Sequence, residues 1–370
     1  MTAVLFVTVD AGGNLPPALE IARVIVERGG SARFLGSSTQ RPAIEKAGFD
    51  FEPYATTPES DSTARGSLAT VALRQARAFA DRRVGRDALA SLERRPADVV
   101  VVDTLLVGGI HELRAAGAPV VTLVHTLWSF FRAAVRGPFG LLIRAFGGGS
   151  ASAVLETAPR QIVTVREDFE IPTTYPTGVE HVGVVWHGVA SEARPTEPRV
   201  LVSLSTTTTP GQTKALQRIM DALAELPVSA VVTTGPAIDP AGLRVPANVE
   251  VASYVDHAEL LPRMSLVIGH GGHGTTLRGL AHGIPALVLP MNPLIDQPWI
   301  ARAVARLGVG RMLSPKASVA AIREAVTALL GDGPERAAAR ALGVSIRERD
   351  GAVRAAEILE EVGTQLAQQR

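Results

Sequence analysis

Short, continuously apolar runs recur along this chain. Each is closed by a glycine, proline or polar turn and followed by a stretch with helical spacing. AVLFVTV (3–9) is the first; it ends in DAGGN, and LPPALEIARVIVERGG follows with prolines in its first turn and two glycines at its end. Continuous rather than alternating hydrophobicity marks a strand buried on both faces. The same reading predicts strands at SARFLG, FDFEPY, DVVVVD (98–103), PVVTLV (119–124), QIVTV and VEHVGVV. Helices are predicted near 41–47, over 68–92 and up to Ala116. A second series starts at VLVSLS (200–205) and runs through SAVVTT, VEVASY, SLVIG and PALVLP to a charged helical tail from Pro334. This β–α alternation predicts an α/β chain with two doubly wound parallel sheets. The polar, proline-bearing SEARPTEPR (191–199) reads as a linker between an N-terminal domain (1–190) and a C-terminal domain (200–370), whose last helix can pack back on the first. A cleft between two such domains is a favoured ligand site, because the carboxyl ends of the strands can face each other there.

Residues 126–150 break the rhythm. LWSFFRAAVRGPFGLLIRAFGGGS carries four of the ten phenylalanines and one of the three tryptophans. It reads either as a packed helical excursion or as an apolar binding wall formed by Trp128, Phe130 and Phe131.

Composition narrows the function classes. Hydrophobic residues make up 46%, enough for sizeable cores. Lys+Arg number 37 against Asp+Glu 36, so a net charge of +1 supplies no field for gripping nucleic acid or an anionic membrane. Cysteine is absent, which removes disulfides, a thiolate nucleophile and cysteine-ligated zinc. No apolar run reaches the roughly 18 residues a membrane span needs. The N-terminus also lacks the basic region of a signal peptide, so a cytoplasmic protein is expected.

The chemistry concentrates at SLVIGHGGHGTTLRGLAHGIPALVLPMNPLIDQPW (265–299). A buried strand enters a glycine-rich turn and a helix leaves it. Backbone amides at that helix N-terminus favour an anion, and His270 and Thr275 add donors, so a phosphate or diphosphate is the natural ligand. Gly269, Gly271 and Gly274 also satisfy G-x-G-x-x-G, with Asp296 downstream for a ribose contact, which keeps an NAD-dependent oxidoreductase as an alternative. Against it, the motif falls late in its series, and histidines occupy two of the spacer positions.

GHGGHGT…HGIPALVLP…DQPWIARAVARLGVG resembles the donor signature of the family 1 glycosyltransferases, most closely their bacterial natural-product branch. The resemblance implies the GT-B fold: two Rossmann-like domains facing across a cleft, with the acceptor on the N-terminal domain and a nucleotide-diphosphate sugar on the C-terminal one. It implies that His270, Gly272, Gly274 and Thr275 hold the diphosphate, and that Asp296 and Gln297 hold the hydroxyls of the donor sugar. Tyr254 would stack on the nucleobase, Val255 would offer backbone bonds to its edge, and Ser205 and Thr206 would form a hydroxyl turn near the phosphates. No metal or other cofactor is implied; the nucleotide sugar is a co-substrate. Where the family often carries a ribose-binding glutamate, eight residues after the motif histidine, this chain has Arg278; a deoxyribose donor such as a dTDP-sugar would miss that contact less, and the expected donor is a UDP- or dTDP-sugar.

The acceptor side departs from the pattern. The family's general base is a histidine just after the first strand, oriented by an aspartate after a later one. Here Gly13-Asn14-Leu15-Pro16-Pro17 puts Asn14 at the histidine position, and an amide cannot take up a proton. Asp103 ends DVVVVD and His125 follows PVVTLV, so both lie at strand ends and both titrate. Asp103 reads equally as a helix N-cap, and His125 as a turn histidine. The expectation is an inverting, metal-independent glycosyltransferase acting on a small apolar or aromatic acceptor, with Asp103 or His125 as base. The other-class alternative is a non-catalytic nucleotide-sugar-binding protein. Monomer and homodimer both remain open.

Overall fold

The computed structural model describes residues 1–59, 68–186, 197–204, 209–235 and 238–369. The chain divides into two compact units, one of residues 1–185 with 350–370 and one of residues 186–349. The first holds seven strands: β1 (Ala3–Val7), β2 (Ser31–Gly36), β3 (Asp50–Pro53), β4 (Val99–Asp103), β5 (Val120–Val124), β6 (Gln161–Val163) and β7 (Val179–His181). Their order is β3-β2-β1-β4-β5-β6-β7, and every pairing is parallel. The second unit repeats the scheme with β8 (Arg199–Ser203), β9 (Ser229–Thr233), β10 (Val249–Ala252), β11 (Leu266–Gly269), β12 (Ala286–Val288) and β13 (Gly310–Met312), ordered β10-β9-β8-β11-β12-β13 and again all parallel.

The continuous apolar runs are explained by helices on both faces. In β1, Val4 and Phe6 enter one core, while Leu5 and Val7 enter the other. In β4, Val99 and Val101 join the first core, and Val100 and Val102 the second. Alternate side chains point to opposite faces, and here neither face meets water. In each sheet the strand order reverses once, between β1 and β4 and between β8 and β11. Loops at the carboxyl ends of such neighbouring strands diverge and leave room for a ligand.

Two departures from the sequence reading have local causes, and the last helix takes the place that reading allowed it. The stretch 68–92 forms two helices, Leu68–Ala80 and Arg83–Arg94, because the Asp81 carboxylate accepts the Arg83 amide at 2.9 Å and starts a new helix. Strand β13 has no apolar run; it is an edge strand whose Met312 is exposed and whose Arg311 pairs with Glu335. The C-terminal helix Gly351–Gln369 belongs to the first unit, burying Ala352, Ala355, Ala356, Ile358 and Leu359 in the core that also holds Ile21 and Ile25. Gly351 has to be glycine there, since a Cβ would lie 2.6 Å from the Gly183 carbonyl oxygen. Residues 191–196 of the expected linker lie outside the described residues. Among the described residues no helix is long and apolar enough to cross a membrane.

Candidate active site

At the carboxyl edge of the first sheet, three buried polar side chains meet: Asn14 from the loop after β1, Asp103 at the end of β4 and His125 just after β5, with exposures of 3%, 4% and 7%. Asn14 precedes the helix Leu15–Glu27 without capping it through its side chain. Its amide turns inward instead: Nδ2 donates to the Val9 carbonyl at 2.8 Å and to Asp103 Oδ2 at 2.6 Å, and Oδ1 accepts the Ala11 amide at 3.3 Å. The other Asp103 oxygen accepts the Leu105 amide at 2.9 Å, which fixes the turn ahead of the helix Val107–Ala115. Asp103 Oδ2 also lies 3.3 Å from His125 Nδ1. One carboxylate oxygen thus accepts from an amide and lies close to an imidazole.

The surroundings confine the ring. Phe131 meets His125 edge-on at 5.5 Å between centroids. Phe131 stands on the helix Trp128–Arg136, whose N-terminus is capped from outside the helix: the buried Glu170 carboxylate accepts the Trp128 amide at 2.6 Å, the Ser129 amide at 3.0 Å and the Ser129 hydroxyl. Trp128 itself is fully buried and donates Nε1–H to Gln161, so it belongs to the core and not to a binding wall. Tyr54 donates its hydroxyl to the Thr8 carbonyl at 2.7 Å; burial, together with the Asp103 carboxylate, pushes its phenol pKa well up.

The second constellation lies at the carboxyl end of β11. Gly271 has φ +91°, a conformation that favours glycine, and a Cβ there would meet the Gln297 carbonyl oxygen at 2.8 Å. Gly272 is the N-cap of the helix His273–Ala281; a Cβ on it would strike His270 Nε2 at 2.7 Å. A Cβ on Gly274 would meet only the Arg278 guanidinium, at 3.8 Å, so its backbone is open to close approach. His270 packs into this turn with Nδ1 buried and unpartnered. Burial holds its pKa below the usual histidine value, against the opposing pull of the Asp296 carboxylate and the Ser203 backbone. A neutral imidazole and free helix amides are donors suited to an anion.

The remaining predicted donor residues take distinct places. Asp296 Oδ2 lies 3.3 Å from His273 Nδ1, both side chains being mostly buried. Gln297 is 1% exposed, and its Oε1 accepts the Met291 and Asn292 amides at 2.8 and 2.7 Å. That oxygen shapes the loop ahead of the helix Gln297–Arg306, leaving the amide NH₂ as the part of the side chain suited to a ligand. Tyr254 is 81% exposed, an aromatic face standing in solvent, with Val255 beside it in the chain. Ser205 and Thr206 lie outside the described residues. Asp296 serves His273 and immediately precedes a helix, which is not the strand-end position of a dinucleotide site's ribose acid.

Residues 217–361 match the erythromycin biosynthesis protein CIII-like C-terminal domain family. The chain is 25% identical over 423 residues to the 4′-demethylrebeccamycin synthase of Lentzea aerocolonigenes, covering 96% of this chain and 98% of that protein. The solved glycosyltransferase of kitacinnamycin superposes with a TM-score of 0.79 at 22% identity, covering 97% of this chain and 98% of the other. The glycosyltransferase VinC, solved in complex with dTDP, does so at 0.74 and 18% identity, covering 98% and 99%. The chain is a GT-B glycosyltransferase of the natural-product type.

One residue of this glycosyltransferase escaped the sequence reading. His257 opens the short helix His257–Leu260, and its Nδ1 lies 3.2 Å from the Thr275 hydroxyl. Its only signal in the sequence is a histidine three residues past Tyr254, in a polar stretch that reads as a solvated helix start. His111 and His181 are structural: the first meets the Ser150 carbonyl at 3.1 Å, the second Glu170 at 3.3 Å. Among the described residues no three His, Asp or Glu side chains are grouped to hold a metal ion.

Proposed function

We propose that this glycosyltransferase moves a sugar from a UDP- or dTDP-sugar to a small apolar or aromatic acceptor by one inverting displacement, without a metal or other cofactor. His125 serves as general base, Asp103 orients it, and Asn14 fixes Asp103. The observation that carries the reading is the placement of Asp103 Oδ2, which accepts the Asn14 amide at 2.6 Å and lies 3.3 Å from His125 Nδ1. With Oδ1 taken by the Leu105 amide and Oδ2 by Asn14, Asp103 acts as a clamp, and the imidazole beside it is left to meet the acceptor. The arrangement keeps the chemistry of a histidine–carboxylate pair and moves the histidine from the loop after β1 to the loop after β5.

In the proposed step the acceptor's nucleophilic atom bonds to the anomeric carbon on the face opposite the leaving group. Its proton passes to His125 Nε2. The bond between the anomeric carbon and the diphosphate oxygen breaks, and the nucleoside diphosphate departs with the electron pair. The amides of the helix His273–Ala281, with His270 and Thr275, hold the charge that develops there. Asp296, held by His273, takes sugar hydroxyls, and Tyr254 offers its exposed ring to the base. The dTDP named for VinC supports a thymidine donor, and so does Arg278, a poor substitute for a ribose-binding acid.

The test is turnover of a panel of UDP- and dTDP-sugars against apolar and phenolic acceptors, with the anomeric configuration of the product read by NMR. Inversion is expected, with chelator leaving the rate unchanged. Retention of configuration or a chelator-sensitive rate contradicts the proposal.

A further inference from the structure

Thr275 is the third residue of the helix His273–Ala281, where a hydroxyl can join the free amides in meeting an anion. The hydroxyl already has a neighbour. His257 Nδ1 lies 3.2 Å from Thr275 Oγ1, and Arg278, one turn further along, donates Nε–H to the Gly274 carbonyl at 3.1 Å. His257 is held in place by its own short helix, which Asp256 caps by accepting the Ala258 amide at 2.9 Å. Burial, and then the nearby Arg278 cation, press the His257 pKa down to about 4, so the ring is neutral at working pH and carries a single N–H.

A neutral imidazole facing a hydroxyl has two arrangements. Either the threonine donates to Nδ1 and turns its lone pairs outward, or Nδ1–H donates to the threonine and frees the hydroxyl proton. The first would present lone pairs to an incoming phosphate. The second gives a chain of donors running toward it, each bond polarising the next.

We propose that His257 is a positioning residue for the donor diphosphate, acting through Thr275: its Nδ1–H donates to Thr275 Oγ1, and the Thr275 hydroxyl donates to a phosphate oxygen. This rests on the reading of the glycine-rich turn as the diphosphate site.

Calorimetric titration with thymidine diphosphate and with thymidine separates the two claims. His257→Ala and Thr275→Val should each weaken thymidine diphosphate about 10-fold, the scale of one lost hydrogen bond. Thymidine affinity should not change, and the double variant should be no weaker than the weaker single one. His257→Asn, whose amide nitrogen sits near the Nδ1 position, should bind within about 3-fold of wild type. The relay is overturned if His257→Ala binds thymidine diphosphate normally while His270→Ala does not. Equal loss of thymidine and thymidine diphosphate, or additive effects with Thr275→Val, overturn it too. If the His270, Thr275 and His257 variants all bind normally, the diphosphate reading itself fails. Nitrogen-15 spectra of the wild-type histidines give an independent check: bound thymidine diphosphate should fix His257 as the Nδ1–H tautomer, and an Nε2–H tautomer contradicts the proposal.

Discussion

Asn14 stands where the resemblance to the family 1 glycosyltransferases implies a histidine, and its side chain is fully used. The amide reaches the Val9 carbonyl and Asp103, and its oxygen receives the Ala11 amide. Asn14 at that position was legible in the sequence, and Asp103 and His125 were legible as polar residues at strand ends. That one aspartate oxygen meets Asn14 and comes within 3.3 Å of His125 was not, because it depends on how three loops from three strands converge. Gln297 shows the same limit: its residue type suits a sugar, but its oxygen is spent on the Met291 and Asn292 amides. Asp296 differs, since it meets His273 at 3.3 Å and, on the proposed reading, takes sugar hydroxyls. Asp296→Ala should therefore weaken intact nucleotide sugar by about 10-fold or more and leave free nucleoside diphosphate within about 2-fold. Titration of both ligands checks this, and equal losses would move Asp296 off the sugar.

At the scale of elements, the strands at the sheet centres were easy to read because both their faces are buried. Strand β13 was not, because an edge strand with Arg311 and Met312 at its surface has no apolar run to announce it. The break between Leu68–Ala80 and Arg83–Arg94 was hidden because Asp81 and Arg82 suit a helix as well as a turn; the Arg83 amide turns to the Asp81 carboxylate there. The helix Trp128–Arg136 depends on a partner distant in sequence. Glu170 satisfies its first amides, and the helix in turn holds Phe131 against His125. Glu170→Ala leaves those amides unpaired in a buried setting and should cost about 1–3 kcal/mol of stability. The KM for acceptor should rise while thymidine diphosphate affinity holds. Thermal unfolding and the two affinities test it together; a variant with wild-type acceptor KM would detach this helix from the acceptor site.

Across the whole molecule, one β–α scheme is used twice and charged differently. The second unit carries three histidines, His257, His270 and His282, whose pKa values are all depressed, chiefly by burial, to about 4 for His257 and His282. Each is neutral in the folded protein at pH 7. On unfolding each would take up a proton near pH 6.5, so the unfolded state binds more protons below that value. The stability these groups contribute is present above about pH 6.5 and is lost as pH falls toward about 4. The melting temperature should drop by on the order of 5 °C between pH 7 and pH 5, before the carboxylates titrate. His282→Gln should flatten part of that slope, and calorimetry at the two pH values decides. An unchanged or higher melting temperature at pH 5 contradicts the burial of these rings.

The claim on which the account turns is that proton transfer has moved from the loop after β1 to the loop after β5. Its most direct test is the turnover of His125→Gln at saturating donor, with thymidine diphosphate affinity measured alongside. The relocated base predicts a fall of about 10²–10⁴-fold, loss of the acid limb of the pH–rate profile, and unchanged nucleotide affinity, with Asn14→Ala far less affected. Near wild-type turnover with the acid limb intact would contradict it, and would return the proton to the acceptor's own acidity or to another residue.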